Sequence, residues 1–347
     1  MRAYDFGPQH PLKPVRLERT VAVLNAVLDG ELECISPRNA TASEIGQVHD
    51  DELIEIVQAM SQGEDVSPED RFAFGFSSHD TPPFLGMWEA CLPYCGAAIE
   101  AAERVNAGAK RAFNIAGGLH HAQRHKSSGF CVFNDCALSI VTLKQKFERV
   151  MYIDIDLHHG DGVEFIFDDD PDVLTFSIHE TGRTLYPGTG FVQDEGFAGT
   201  AFNLPLEPMS TGDTWLLGFS EIAPRIIDWF KPGAIVLQCG CDAHRSDPLG
   251  HLNCAVQDWL GAVKLVHDLD IPMVVCGGGG YDLANVPRMW SAAFLAASGL
   301  DVPEFIPETI PKDWGMTTFR DTTPNPEEWV GRKEMEDAVA QLKSRLR

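Results

Sequence analysis

Beyond residue 102 the chain alternates between short, almost wholly apolar runs and longer stretches in which apolar positions recur with a helical period. The short runs predict strands over 111–115, 150–155, 173–178, 201–206, 234–239 and 272–276, and the longer ones predict helices over 134–147, 214–230, 255–268 and 283–297. Strands alternating with helices pair in parallel, and strands apolar along their whole length belong to a sheet covered on both faces, so the fold class is α/β. Residues 17–28, 51–62 and 87–105 carry the helical period as well, with no linker between them and the rest, so a single domain over 1–347 is expected. The stretch 302–325, rich in proline and acidic residues, predicts an extended tail, and 331–346 predicts a polar closing helix packed on the domain. Covered parallel sheets gather ligands outside the carboxyl ends of their strands, which is where chemistry is expected.

Composition narrows the function classes. Hydrophobic residues make up 44% of the chain and charged residues 22%, enough for a large core under a polar exterior. The 51 acidic against 27 basic residues give a net charge of -24, which argues against nucleic-acid binding through a general basic surface and favours cationic partners. Nine cysteines include no Cys-x-x-Cys pair, and Cys239 and Cys241 are too close for an ordinary bridge, so reduced thiols are expected. No basic-then-apolar opening and no run of about eighteen apolar residues occurs, so the cytoplasm is the expected location and no membrane partner is expected. No heptad or apolar patch indicates an oligomeric state.

Four strand ends carry polar residues that a core does not need. In Tyr152-Ile-Asp-Ile-Asp-Leu-His-His-Gly-Asp-Gly162, strand alternation places Asp154, Asp156 and His158 on one face. Carboxylates buried so closely call for a compensating cation, though an exposed strand end with satisfied acids is the plainer alternative. Asp242, beyond the strand at 234–239, would complete a set of one nitrogen and two oxygen donors with positions open for water and substrate, as a catalytic zinc site requires. In Gly117-Gly-Leu-His-His-Ala122 the paired His120 and His121 either cap a turn or, beside Asp154 and Asp161, are each oriented by a carboxylate. The run Cys276-Gly-Gly-Gly-Gly-Tyr-Asp282 lacks the spacing of a nucleotide loop and instead allows close backbone approach that places the Tyr281 hydroxyl.

These elements, with His10-Pro-Leu-Lys-Pro14, His79-Asp-Thr-Pro-Pro83, Ser128-Gly-Phe-Cys-Val-Phe-Asn134, Ser177-Ile-His-Glu-Thr-Gly182 and Tyr186-Pro-Gly-Thr-Gly190, resemble the histone deacetylase superfamily, most of all the bacterial acetoin-utilisation deacetylases. The resemblance spans nearly the whole chain and implies an arginase-like domain around a parallel sheet of about eight strands. It also implies removal of acetyl groups from lysine side chains. By resemblance Asp156, His158 and Asp242 hold zinc, with iron as a substitute. His120 and His121 pair with Asp154 and Asp161, His121 moves the proton, and Tyr281 stabilises the oxyanion. Potassium is implied at Asp154, Asp156, His158, Ser177 and Ile178, through backbone carbonyls for the most part. Phe130, next to Gly129, and Tyr186 are the implied walls of a tunnel for the lysine stem, the second being Tyr where many relatives have Phe. Asp80 is implied at the rim and Arg16 in an internal acetate pocket. Leu249 occupies the position of the acidic gatekeeper of polyamine-specific relatives, which argues against small acetylated polyamines as substrates. Longer acyl groups, ureohydrolase chemistry and a silent acetyl-lysine-binding scaffold are the remaining alternatives.

Overall fold

Each apolar run becomes a strand in the computed structural model, which describes residues 3–76, 79–322 and 330–346. The strands are β1 (Arg111–Asn114), β2 (Val150–Asp154), β3 (Val173–Glu180), β4 (Ala201–Leu206), β5 (Ala234–Gln238) and β6 (Met273–Cys276). They pair in parallel in the order β1-β6-β5-β2-β3-β4. The sheet therefore has six strands among the described residues, and the expectation of about eight is corrected. Residues 31–41, extended and ahead of the first strand, join no ladder. Within this segment the Ala40 N–H donates to Leu92 O of the helix Met87–Asn106 at 3.0 Å, and Arg38 O packs so tightly on Gly96 that a Cβ there would lie 1.9 Å away.

Side-chain alternation splits every central strand between two cores. Met151, Ile153, Ile235, Leu237, Met273 and Val275 enter the core covered by the helices Gly212–Phe230, Val256–Asp268 and Asn285–Ala297. Val150, Tyr152, Ala234, Val236, Val274 and Cys276 enter the one covered by Met87–Asn106 and Asp135–Leu143. Burying each large apolar side chain contributes about 1.5–3 kcal/mol before entropy is counted, which makes this two-sided burial the main support of the sheet. The closing helix Arg332–Arg345 inserts Met335, Val339 and Leu342 into the first core. The expected tail from 302 lies outside the described residues over 323–325. Three short helices had no sequence signal long enough to show a period: Ala42–Ile45, Pro68–Ala73 and Asp161–Ile166. No described helix is long and apolar enough to cross a membrane, and all nine cysteines are free thiols.

Two buried indoles connect this packing to the strand ends. Trp259 Nε1 donates to Gly240 O at 2.8 Å and Trp290 Nε1 donates to Cys239 O at 2.9 Å, pinning the chain as it leaves β5. On the other side, the buried His49 accepts the Asn134 N–H at Nε2 (2.9 Å), leaving Nδ1 to donate to Gln123 O (2.9 Å). That arrangement needs a neutral ring, and burial pushes its pKa from 6.5 down to about 4. An unfolded chain binds this proton below 6.5 and the folded one does not, so the stabilisation is complete above pH 6.5 and is lost as pH falls towards 4. Between pH 7 and 5 His49 is expected to contribute about 2 kcal/mol to the loss of unfolding free energy. Denaturant unfolding of wild type and His49→Gln at the two pH values checks this; an equal loss in both would remove His49 from the account.

Candidate active site

The strands β1, β6, β5 and β2 are consecutive neighbours in the sheet, and the chain leaving each carries one of the four polar elements. His120 and His121 follow β1, the glycine run and Tyr281 follow β6, Asp242 follows β5, and Asp156 and His158 follow β2. The strand itself ends at Asp154, so the expectation that alternation along one strand aligns Asp154, Asp156 and His158 is corrected: Asp156 and His158 lie in the loop. What aligns them is a pair of turns. Asp154 Oδ1 accepts the Asp156 N–H and Asp156 Oδ1 accepts the His158 N–H, each at 3.0 Å.

Asp156, His158 and Asp242 are buried and converge. His158 Nδ1 lies 3.1 Å from Asp242 Oδ2 and 3.3 Å from Asp156 Oδ1. Donors about 2.0–2.1 Å from one tetrahedral centre stand about 3.3 Å apart, so the spacing suits a zinc-sized ion. The electrostatics point the same way. Burial lowers the His158 pKa, yet hydrogen bonds to Asp156 and Asp242 outweigh it and raise the ring to about 10, so these two acids hold a positive charge between them. The remaining carboxylate oxygens are anchored: Asp156 Oδ2 accepts from Gln238 Nε2 and the Gly279 N–H, both at 2.8 Å, and Asp242 Oδ1 accepts the Leu157 N–H at 3.0 Å. Such partners orient metal ligands. The glycine run is required by this approach, because a Cβ on Gly279 would lie 2.1 Å from Asp242 Oδ2, and Gly280 has φ +136°. A second buried group, Asp135, Cys136 and Cys276, is a poorer metal site. Its carboxylate already accepts the Gly118 and Leu119 N–H groups, fixing the loop to His120, and burial raises the Cys136 thiol well above its usual range.

Both histidines have carboxylate partners. His120 Nδ1 donates to Asp154 Oδ2 at 2.7 Å and His121 Nδ1 donates to Asp161 Oδ1 at 2.6 Å. Their Nε2 atoms are 3.1 Å apart. Burial lowers both pKa values, but beside Asp154 and Asp156 the balance for His120 is upward, to about 9. For His121 burial prevails, reinforced by the charge of His120, and the ring is held at about 4. Two titratable neighbours pushed apart in this way can divide the parts of charged donor and neutral base. Asp154 Oδ2 also accepts from Tyr152 Oη at 2.6 Å, so this oxygen already has two donors, while Oδ1 accepts the Asp156 N–H.

A narrow slot reaches these groups, lined by His120, His121, Asp156, His158, Phe130 and Tyr281 among others. The rings of Phe130 and Tyr281 meet edge to face at 5.7 Å. Burial first, then the charges of Asp242 and Asp156, keep the Tyr281 phenol protonated as a donor. Its backbone N–H donates to Asp247 Oδ2 at 2.7 Å, and Asp247 Oδ1 accepts from the Leu249 N–H at 3.1 Å, so half-buried Leu249 is tied to the same loop. Gly129 packs against His121 so closely that a Cβ would lie 2.4 Å from its Cδ2. Tyr186 stands edge-on to His121 at 5.0 Å. Asp80 is exposed, its carbonyl accepting from His10 Nε2 at 3.1 Å, while the His10 ring packs on Phe130 at 4.4 Å. Arg16 is buried behind the glycine run, donating to Gly278 O at 2.9 Å and Gly280 O at 3.0 Å. Ser177 pairs with Asp154 in the β2–β3 register, and its Oγ bonds His179 Nδ1 at 2.8 Å; Ile178 is core.

Several contributors escaped the sequence reading. Gln238 was visible as a polar residue closing an apolar strand, and Asp135 as an acid after a capping Asn134, but neither had a motif to assign it. Tyr4 had no signal: its hydroxyl donates to Phe130 O at 2.6 Å and accepts the Val132 N–H at 3.1 Å, holding Phe130 at φ +69°.

Comparison with known proteins agrees with this geometry. The histone deacetylase domain matches residues 10–297. The acetoin utilization protein AcuC of Bacillus subtilis (strain 168) is 38% identical over 339 residues, covering 90% of this chain and 87% of that protein. Histone deacetylase clr6 of Schizosaccharomyces pombe is 38% identical over 313 residues, covering 88% and 76%. Histone deacetylase RPD3 of Saccharomyces cerevisiae is 39% identical over 298 residues, covering 83% and 67%. With a matching domain over most of its length and relatives this similar, the chain belongs to the histone deacetylase family and is a hydrolase acting on amides.

Proposed function

We propose that this enzyme hydrolyses the side-chain amide of acetyl-lysine, releasing acetate, with zinc held by Asp156, His158 and Asp242. The observation that carries the reading is the meeting, in one slot, of these three donors with two carboxylate-backed histidines and a protonated Tyr281. When bound, zinc supplies a Lewis acid that polarises a carbonyl and acidifies water.

The protein's own groups do the rest. Neutral His121, oriented by Asp161, takes a proton from the attacking water at Nε2 and returns it to the leaving amine. His120, kept charged beside Asp154, adds positive potential where negative charge develops, and the Tyr281 hydroxyl donates to the oxygen of the former carbonyl. Phe130 and Tyr186 pack the methylenes of the lysine stem, with Gly129 leaving room for His121, and Asp80 holds the substrate backbone at the rim. Arg16 places its charge behind the slot, where a carboxylate product would be attracted. Potassium would rest on Asp154 and on carbonyls of Asp156, His158, Ser177 and Ile178, supporting the same loop. Apolar Leu249 offers nothing to the distant ammonium of a polyamine, which favours the lysine side chain.

Acetate release from an acetyl-lysine peptide and an acetylated polyamine, compared side by side, tests the substrate. Chelation is expected to abolish turnover and zinc to restore it, and Asp242→Ala is expected to retain less than one equivalent of zinc on dialysis. Preference for the polyamine would overturn the lysine reading, and full activity in chelator would overturn the metal.

A further inference from the structure

Tyr186, edge-on to His121, is joined to the turn that carries Phe130 of the slot lining. The Tyr186 hydroxyl is hydrogen-bonded to Ser128 Oγ, and Ser128 belongs to the turn that carries Gly129 and Phe130. That turn is closed by two backbone bonds between Ser128 and Cys131, at 3.0 and 2.8 Å. It is fixed from below by Ser127, whose N–H donates to Phe74 O at 3.1 Å and whose Oγ donates to Val132 O at 2.9 Å. Tyr186 is thus held at both ends, its ring against His121 and its hydroxyl on a rigid anchor across the mouth. At 40% exposure it still faces water, so the hydroxyl pair sits at the rim.

Packing a methylene stem requires none of this polarity, since a phenylalanine would give the same wall. Two hydroxyls carry two protons, and the bond between them uses one. Among the described residues neither hydroxyl has another hydrogen-bond partner, so the pair presents one O–H donor outwards. A lysine stem that reaches from the slot floor to this rim brings its own backbone carbonyl to the same level.

We propose that Ser128 and Tyr186 form a specificity-determining pair that donates a hydrogen bond to the peptide carbonyl beside the acylated lysine. The pair thereby favours an acyl-lysine within a peptide over an acylated alkylamine having the same stem. The inference rests on the lysine reading above. One hydrogen bond of this kind changes affinity roughly three- to tenfold.

The test uses the zinc-loaded full chain with two substrates, an end-capped acetyl-lysine tripeptide and N-butylacetamide, in wild type, Tyr186→Phe, Ser128→Ala and the double variant. The ratio of kcat/KM for peptide over N-butylacetamide is expected to fall roughly three- to tenfold in the double variant, through KM of the peptide, and less in either single variant, where the remaining hydroxyl keeps one O–H donor. Unchanged turnover of N-butylacetamide in the double variant guards against a folding defect. If wild type turns over the peptide and the ratio does not move in the double variant, the pair is only part of the wall and the inference is overturned alone. If wild type turns over N-butylacetamide but not the peptide, the lysine reading falls and the inference with it.

Discussion

His121→Ala is expected to lower kcat by about 10²–10⁴-fold, the range for removing a general acid–base group. His121 is the neutral member of the histidine pair, held at about 4 by burial and by the charge of His120, whereas His120 lies at about 9. A base must be neutral to act, so its activity is retained as pH falls below the ordinary histidine value of 6.5 and is lost only towards 4. The alkaline limb follows loss of the His120 proton towards 9. Steady-state acetate release across pH checks both limbs. A loss below tenfold in the alanine variant, or an acid limb centred at 6.5, would transfer the proton to another group.

The second large effect is expected from Tyr281→Phe, about 10²–10³-fold in kcat with little change in KM. The ring contact with Phe130 at 5.7 Å and the backbone bond to Asp247 at 2.7 Å do not involve the hydroxyl, so phenylalanine leaves the slot's shape in place. What is removed is a donor used when charge develops on the carbonyl oxygen, an interaction stronger in the transition state than in the ground state. Kinetics on the acetyl-lysine peptide separate the cases: a rise in KM at constant kcat would make the hydroxyl a ground-state contact instead.

Much of this enzyme was legible in its sequence. The six apolar runs determined six parallel strands, because short, almost wholly apolar runs alternating with helical stretches fit a parallel sheet buried on both faces. The polar residues at their carboxyl ends stood out for the same reason, since a core has no use for Asp156, His158 or Asp242. Their type alone named the chemistry, with hard and borderline donors for a metal and histidines for protons. The strand count of about eight came from resemblance and not from the apolar runs, which number six, as the strands do.

Tertiary structure decided what depends on contacts between distant segments. Sheet order is set by how crossover helices pack, and it makes β1, β6, β5 and β2 neighbours although their sequences span residues 111 to 276. Only that adjacency brings four strand ends to one slot. It also assigns each oxygen: Asp156 Oδ2 to Gln238 and Gly279, Asp154 Oδ2 to His120 and Tyr152, and the Tyr186 hydroxyl to Ser128. None of these pairings has a sequence period, because a hydrogen bond between loops is fixed by a few ångströms of geometry that local propensity does not encode. The sequence therefore determined which groups this protein can use, and the fold alone decided which of them meet.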